Sequence, residues 1–439
     1  MKATVIGLLA LFMLASPFAA MAAAQEAPAD GRDLQVEVST GVTDRLGGGE
    51  WVKIEVGKTV FAVVYGTNET NPNSPKILVE YERYLGAAEI YNAQGELLGT
   101  HPLPVRTFMA QSFEAMFEFA DRDGDGLFHV PDSFVDLLLD DFDFPRKALS
   151  LNQEWVLENL LEVTSDDRTM TAVTFDLSAY DLAYNEVRPE DAVGDGVLNQ
   201  ITLSFEVNVN LVEATLEMPI YKIVISEDRG IISSEIGRTQ NVTGVVVDGD
   251  FKYDHYIQGW DWGGEDSKLA LATHVLVGNF VPAPVARIVH LTFNETARHD
   301  GNVTDVERPV DGPTLITADS MQFEDEWERI GRLRWVSDVE VDGAMMRMSF
   351  QLHRVQPLGM RVADGGAFFR GLLFGGAFVY PQGEVIFHDP SLSASVFVPA
   401  TAEGSPLAAL APYFIQLGVV TAAIVGLVAY QVLRRKPPA

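Results

Sequence analysis

Residues 201–211 constrain the fold more tightly than any other stretch. Ile201, Leu203, Phe205, Val207, Val209 and Leu211 take every odd position, while Thr202, Ser204, Glu206, Asn208 and Asn210 take every even one. Successive side chains of a strand point to opposite faces, so this stretch is a strand with one dry face and one wet face. Full burial of such side chains contributes roughly 1.5 to 3 kcal/mol each before entropy is subtracted. A sheet with one dry face needs a second layer to cover it. The chain is therefore expected to be mainly β, with one or two β-sandwich domains.

Other segments share the pattern. Leu34, Val36 and Val38 alternate with polar residues, residues 51–65 form an apolar-rich run, and residues 88–98 fold back through Asn92-Ala93-Gln94-Gly95 as a hairpin. Val245, Val246 and Val247 meet Asp248-Gly249 and return through Phe251 and Tyr253, a strong short-range cue for another hairpin. Residues 378–387 turn at Pro381-Gln382-Gly383, and apolar-rich segments at 269–277, 287–293 and 394–398 complete an all-β inventory. The run at 346–352 echoes 201–207 in pattern and partly in identity, which predicts two related sandwich halves.

The two ends predict an address. Lys2, an apolar run from Val5 to Leu14 and the small residues Ala22, Ala23 and Ala24 make residues 1–24 a secretory signal peptide. Residues 412–433 carry no charge and are followed by Arg434, Arg435 and Lys436. That length spans a bilayer of about 30 Å as a transmembrane helix. Basic residues prefer the cytoplasmic side, so the ectodomain, with its N-terminus freed by signal cleavage, is expected outside the cell membrane. The organisation expected is a β-rich segment over 25–106, a helix-loop-helix over 107–145, a sandwich continuation over 146–245, a second sandwich over 246–400, a linker at 401–411, the span, and a cytoplasmic tail at 434–439.

All 62 acidic residues fall between residues 25 and 404, and the chain carries a formal charge of −31. With no basic patch to release counterions, nucleic acid is excluded as a partner. High acidity with few lysines resembles surface proteins of halophilic or marine archaea in composition. The chain has no cysteine, which excludes disulfides, zinc-thiolate sites and cysteine nucleophiles. Sequons begin at Asn68, Asn241, Asn294 and Asn302, so glycosylation is expected.

The chemistry is concentrated in D-R-D-G-D-G-L-F-H-V-P-D, residues 121–132. Carboxylates at alternate positions of a loop bent by glycine converge on a hard cation, and calcium takes six to eight oxygens. The loop resembles an EF-hand, over about 35 residues with its flanks, and no family is recognised for the rest. The resemblance implies Ca2+ held by the side chains of Asp121, Asp123 and Asp125, the Leu127 carbonyl, His129 through water, and Asp132 closing the loop. Asp132 stands in place of the usual glutamate, and Pro131 removes a backbone donor. The expected affinity is weak, on the order of 10⁻⁴ to 10⁻³ M. Phe108, Met109, Phe113, Met116, Phe117 and Ala120 recur at three- and four-residue steps, predicting a helix into the loop, and Phe134, Val135, Leu138 and Leu139 predict one after it.

Other constellations carry less. Asp248, Asp250 and Asp254, or Asp191 and Asp195, are secondary cation candidates in turn-like sequence. Trp260 and Trp262 in G-W-D-W-G-G suit either a sugar ring or core packing. His290, His353 and His388 lie in strand-like runs and read as structural. There is no H-x-x-x-H, G-x-S-x-G or phosphate loop. The function expected is that of a single-pass cell-surface protein with a calcium-stabilised β-sandwich ectodomain, not an enzyme, serving a structural, adhesive or ligand-binding role at the envelope towards protein or glycan. The alternatives are a membrane-tethered hydrolase of glycan or peptide and the capture subunit of a transporter.

Overall fold

The structure, a computed structural model, describes residues 34–399 except 44–48, 68–71, 122–123, 129–142, 144, 186–195, 227–229, 283–292, 300–301, 306–313, 317–318, 326–328 and 363–366. Among the described residues, twenty-two strands make up the regular structure. The first seven are β1 (Val36–Thr43), β2 (Gly49–Val56), β3 (Thr59–Tyr65), β4 (Lys76–Tyr91), β5 (Leu97–Ala120), β6 (Pro145–Ser150) and β7 (Val156–Thr164). Next come β8 (Met170–Ala183), β9 (Val197–Ser226), β10 (Gly230–Gln258), β11 (Ser267–Pro282), β12 (Phe293–His299), β13 (Asn302–Asp305) and β14 (Thr314–Ile316). The last eight are β15 (Ser320–Asp325), β16 (Arg329–Arg334), β17 (Asp338–Val341), β18 (Ala344–Arg347), β19 (Ser349–Val362), β20 (Ala367–Tyr380), β21 (Val385–His388) and β22 (Ser391–Pro399). The mainly β expectation holds.

Two antiparallel sheets emerge from the pairing. One runs β1-β2-β3-β4-β5-β11-β20-β19-β14. The other is built on β7-β8-β9-β10, beyond which β10 pairs along one length with β22 and along another with β21. The sheets face one another over one core that takes Phe61, Val63, Ile77 and Phe113 from the first and Phe175, Leu203, Phe205 and Phe251 from the second. This is the second layer that the alternation at 201–211 demanded: Ile201, Leu203, Phe205, Val207 and Val209 are all buried. The expected boundary after residue 245 falls inside β10, whose residues on either side pair with β9 and β22.

The helix expected to enter the acidic loop is a strand. β5 runs to Ala120, and no helix occurs among the described residues. A bulge explains the misleading spacing. Opposite β5, Thr273 pairs with Phe113 and Ala272 with Ala115, so Glu114 is an extra residue. Met109 and Phe113 face the core at odd positions, and after the bulge the same face is carried by even ones, beginning with Met116. A period of two interrupted once gives steps of four and three. Phe108 and Ala110 pack on the opposite face of the sheet, so the strand is buried on both sides and cannot alternate in polarity. The expected second helix lies outside the described residues.

Two other turn signals also resolve differently. Asp248-Gly249 is not a hairpin; β10 passes straight through it. Gly249 lies against the Phe61 ring of the facing sheet, and a Cβ there would collide with that ring, so glycine serves close approach. Pro381-Gln382-Gly383 carries the chain from β20 in one sheet to β21 in the other, and the two strands do not pair. The run at 346–352 is divided between β18 and β19 at Met348. The hairpin at 88–98 is as expected, with Tyr91 opposite Leu97 and the Asn92 side chain accepting from the amides of Gln94 and Glu96.

β9 and β10 form a hairpin that continues well past the sandwich. Beyond Leu211 and Gly244 it is an arm, stabilised where residues 220–224 pair in parallel with residues 87–91 of β4. Leu85, Ala88, Leu103, Val105, Tyr221, Ile223 and Val281 form a separate small core there. Among the described residues no helix is long and apolar enough to cross a membrane; the expected span at 412–433 and the expected signal peptide lie outside them.

Candidate functional site

The acidic bend begins where β5 ends. Gly124 and Gly126 both have positive φ, 75° and 79°, and the Gly126 N–H donates to Asp121 Oδ1 at 3.3 Å, so the chain curls back on itself within five residues. Asp125 Oδ1 accepts from the Leu127 N–H at 2.8 Å. Two ties hold the far side of the bend to β19. Gln351 accepts from the Phe128 N–H at 2.7 Å and donates to its carbonyl at 3.0 Å, and Ser349 donates to the Gly126 carbonyl at 3.0 Å. The Phe128 ring packs between Phe117 and Phe119.

Of the six expected ligands, Asp121, Asp125 and Leu127 are described; Asp123, His129 and Asp132 lie outside the described residues. Among the described residues, no three carboxylate or imidazole groups converge. A cation does sit at the bend, and it belongs to the protein. Lys268 Nζ lies 2.6 Å from Asp121 Oδ2, and Asp121 is largely buried. The buried carboxylate that opens the bend is thus paired with an ammonium brought in by β11. No feature near residue 121 pointed to Lys268, which lies far away in sequence.

Beside this bend is the tryptophan motif, and its core reading holds. Glu118 is buried and accepts three hydrogen bonds: from Trp260 Nε1 at 3.0 Å, the Gly263 N–H at 2.7 Å and Ser267 Oγ at 2.5 Å. Trp262 Nε1 donates to the Gly383 carbonyl at 2.8 Å. Lys147 is paired with Asp261, and the Asp261 N–H donates to Tyr184 Oη. Both indole N–H groups are thus spent inside the protein.

The secondary acidic candidates contain a lysine of their own. Lys252 lies 3.3 Å from both Asp254 and Asp389. Burial pushes the Asp254 carboxyl up to about 6, with Asp389 adding to the effect, and burial followed by Asp248 raises Asp250. Asp191 and Asp195 lie outside the described residues.

Deeper in the core is an arrangement that sequence reading overlooked. His255 Nδ1 is 2.8 Å from Tyr380 Oη, which is 3.0 Å from His388 Nδ1, and His388 Nε2 is 2.9 Å from the Val336 carbonyl. A carbonyl only accepts, so His388 carries its proton on Nε2 and accepts at Nδ1. Tyr380 therefore donates to His388 and accepts from His255 Nδ1–H. Burial, with the neighbouring ring of His388, holds His255 well below its usual range, and burial lowers His388 to about 4. All three side chains are sealed from solvent, so the relay has no access to a substrate and serves the core. The only sequence signal for His255 is its alternation with Tyr253 on the inward face of β10.

No protein-family model matches this chain, and no curated protein matches it.

Proposed function

We propose that this chain is a single-pass cell-surface protein whose β-sandwich ectodomain is stabilised by calcium and serves a structural, adhesive or ligand-binding role at the envelope. The observation that carries this reading is the curled bend at Asp121, clasped to β19 by Gln351 and Ser349 and already drawn around a positive charge. Calcium takes six to eight oxygens from carboxylates, carbonyls and water, and carboxylates at alternate positions of a glycine-bent loop supply several of them. Asp121, Asp123 and Asp125 would hold the ion, with Leu127, His129 and Asp132 completing the set. When bound, calcium supplies the charge that lets clustered carboxylates lie together.

Such an ion would join the end of β5 to β19 on one sheet and stabilise the sandwich by linkage. At 100 times its dissociation constant it adds about 2.7 kcal/mol. The test is thermal melting of the purified chain in calcium and in chelator. The reading requires a higher melting temperature in calcium and loss of the difference in an Asp121→Ala, Asp123→Ala variant. Superimposed curves would end it. The hydrolase and transporter alternatives gain no support from the described residues.

A further inference from the structure

Two edge strands of the second sheet are open. Among the described residues β7 pairs only with β8, and β18 pairs only with β17. An open edge presents a row of unpaired N–H and C=O groups to any strand of matching chemistry. Exposed apolar side chains gather at these two edges: Val156, Leu160, Leu161 and Val163 on β7, and Met345 and Met346 on β18. β1 and β14, at the edges of the first sheet, show one each, Val42 and Leu315.

The two open edges terminate one row. Cross-strand partners lead from Val156 through Ser178, Thr202, Tyr256, Phe387 and Glu340 to Met345. Along that row, six spacings of about 4.8 Å separate the ends by about 29 Å. All six pairings are antiparallel, an even number of reversals, so β7 and β18 run in the same direction. Val339 and Val341 face the core, as Leu157 does, which leaves Val156, Glu158, Met345 and Arg347 on the outward face. Glu158 and Arg347 each lie two residues further along, again at matching levels. β18 ends at Arg347, and β7 pairs regularly up to Glu158, beyond which a bulge interrupts it.

We propose that copies of this chain join head to tail, β18 of one adding in parallel beside β7 of the next, so that the row continues from molecule to molecule. In that register Met345 meets Val156 and Arg347 meets Glu158. Arg347 is 85% exposed and its Asp338 partner lies 3.9 Å away, an ion pair that gives way at little cost. Charge selects this partner over a like edge. β7 carries Glu158 and Glu162 and no base, so pairing with its own copy sets acid against acid, whereas β18 carries Arg347 and no acid. An interface between two different patches leaves one of each free at the ends, so growth continues beyond the dimer. Each junction is short, and high local concentration, as on a crowded surface, strengthens the whole. The inference goes beyond the calcium reading and depends on neither the ion nor the anchor.

The chain has no cysteine, so cross-links can be placed singly. Full chains in detergent, one bearing Val156→Cys and the other Met345→Cys, both at exposed positions, are mixed and treated with a short bismaleimide. Physiological salt screens charges more than about 8 Å apart, which removes the long-range repulsion between copies and leaves direct pairs intact. The mixed dimer is expected in several-fold excess over random pairing. A chain with both cysteines is expected to give a ladder of multimers, its own two sites being too far apart to join. Arg347→Glu should cut the mixed product several-fold, and Glu158→Arg in the partner chain should restore it, which a misfolded variant could not do. A mixed dimer no more abundant than random collision gives, or one indifferent to the charge reversals, overturns the proposal. Neither edge includes the Asp121 bend, so that result leaves the calcium reading standing.

Discussion

His255 Nδ1 and the Tyr380 hydroxyl, 2.8 Å apart, join the two sheets through a hydrogen bond in the middle of the core. Because the Val336 carbonyl at the far end accepts only, each donor in the line has a fixed direction. Tyr380→Phe leaves the His255 Nδ1–H and the His388 Nδ1 lone pair buried without partners, at about 1 to 3 kcal/mol for each. Urea unfolding should register that loss. In the unaltered protein, ring nitrogen shifts should show His255 protonated on Nδ1 and His388 on Nε2, and the reverse tautomers would contradict the assigned direction.

The same burial makes stability depend on pH. In the unfolded chain both imidazoles take protons near 6.5, whereas folded His388 resists protonation until about 4 and His255 is also held well below 6.5. Between these limits the unfolded state binds more protons, so stability falls as pH falls through that window. A displacement of that size is worth roughly 3 kcal/mol for one ring. Asp254 opposes this: its carboxyl, raised from 3.8 to about 6, favours the folded state as pH falls through that narrower range. The net expectation is a lower urea midpoint at pH 4.5 than at pH 7, with a smaller difference in His388→Asn. A pH difference in His388→Asn equal to that of the unaltered protein would show that His388 takes up no proton on unfolding.

Lys268→Met tests the seat beside Asp121. If the ammonium and calcium compete for Oδ2, removing the ammonium should tighten calcium binding several-fold and lower the melting temperature in chelator, as an acidic bend left without its counter-charge repels itself. Titration calorimetry measures the first and thermal scanning the second. Calcium binding unaltered by the substitution would place the ion away from Asp121.

Glu118→Gln replaces a carboxylate accepting three donors with a group that has one acceptor oxygen and two donors of its own. The expected loss is roughly 3 kcal/mol. Trp260 is 2% exposed, so release of its loop should shift tryptophan emission to the red. An unshifted spectrum would mean that the loop is held by its other contacts.

Phe205 lies 4.8 Å from the Phe175 ring in a stack and 5.7 Å from the Phe251 ring edge-on. Phe205→Ala is expected to cost about 3 to 5 kcal/mol by leaving a cavity, and Phe205→Asp to prevent folding. Circular dichroism and solubility decide both.

What could be read in advance follows from which forces are local. At 201–211 the sandwich was legible because one face is dry and one wet, and burial alone sets the pattern. β5 misled because it is buried on both faces and carries a bulge at Glu114, so its apolar residues step as a helix would. Gly249 passed for a turn because the Phe61 ring that excludes a Cβ there belongs to the facing sheet. The acidic bend was legible as a curved loop, yet its partners Lys268, Ser349 and Gln351 arrive from strands far along the chain. The His255 relay depends on three strands meeting, so although His388 reads as structural in its strand-like run, nothing local ties it to His255 or Tyr380.

The core draws on residues from Leu34 to Val396, and β22, the final described strand, closes against β10. Synthesis delivers a chain from its N-terminus, so this interior cannot be completed until Val396 has emerged. Dominance by distant pairings also makes folding slow. Until β22 arrives, the β10 edge it will cover is open to any other strand, and the newly made protein depends on its dense negative charge to keep copies apart during that wait.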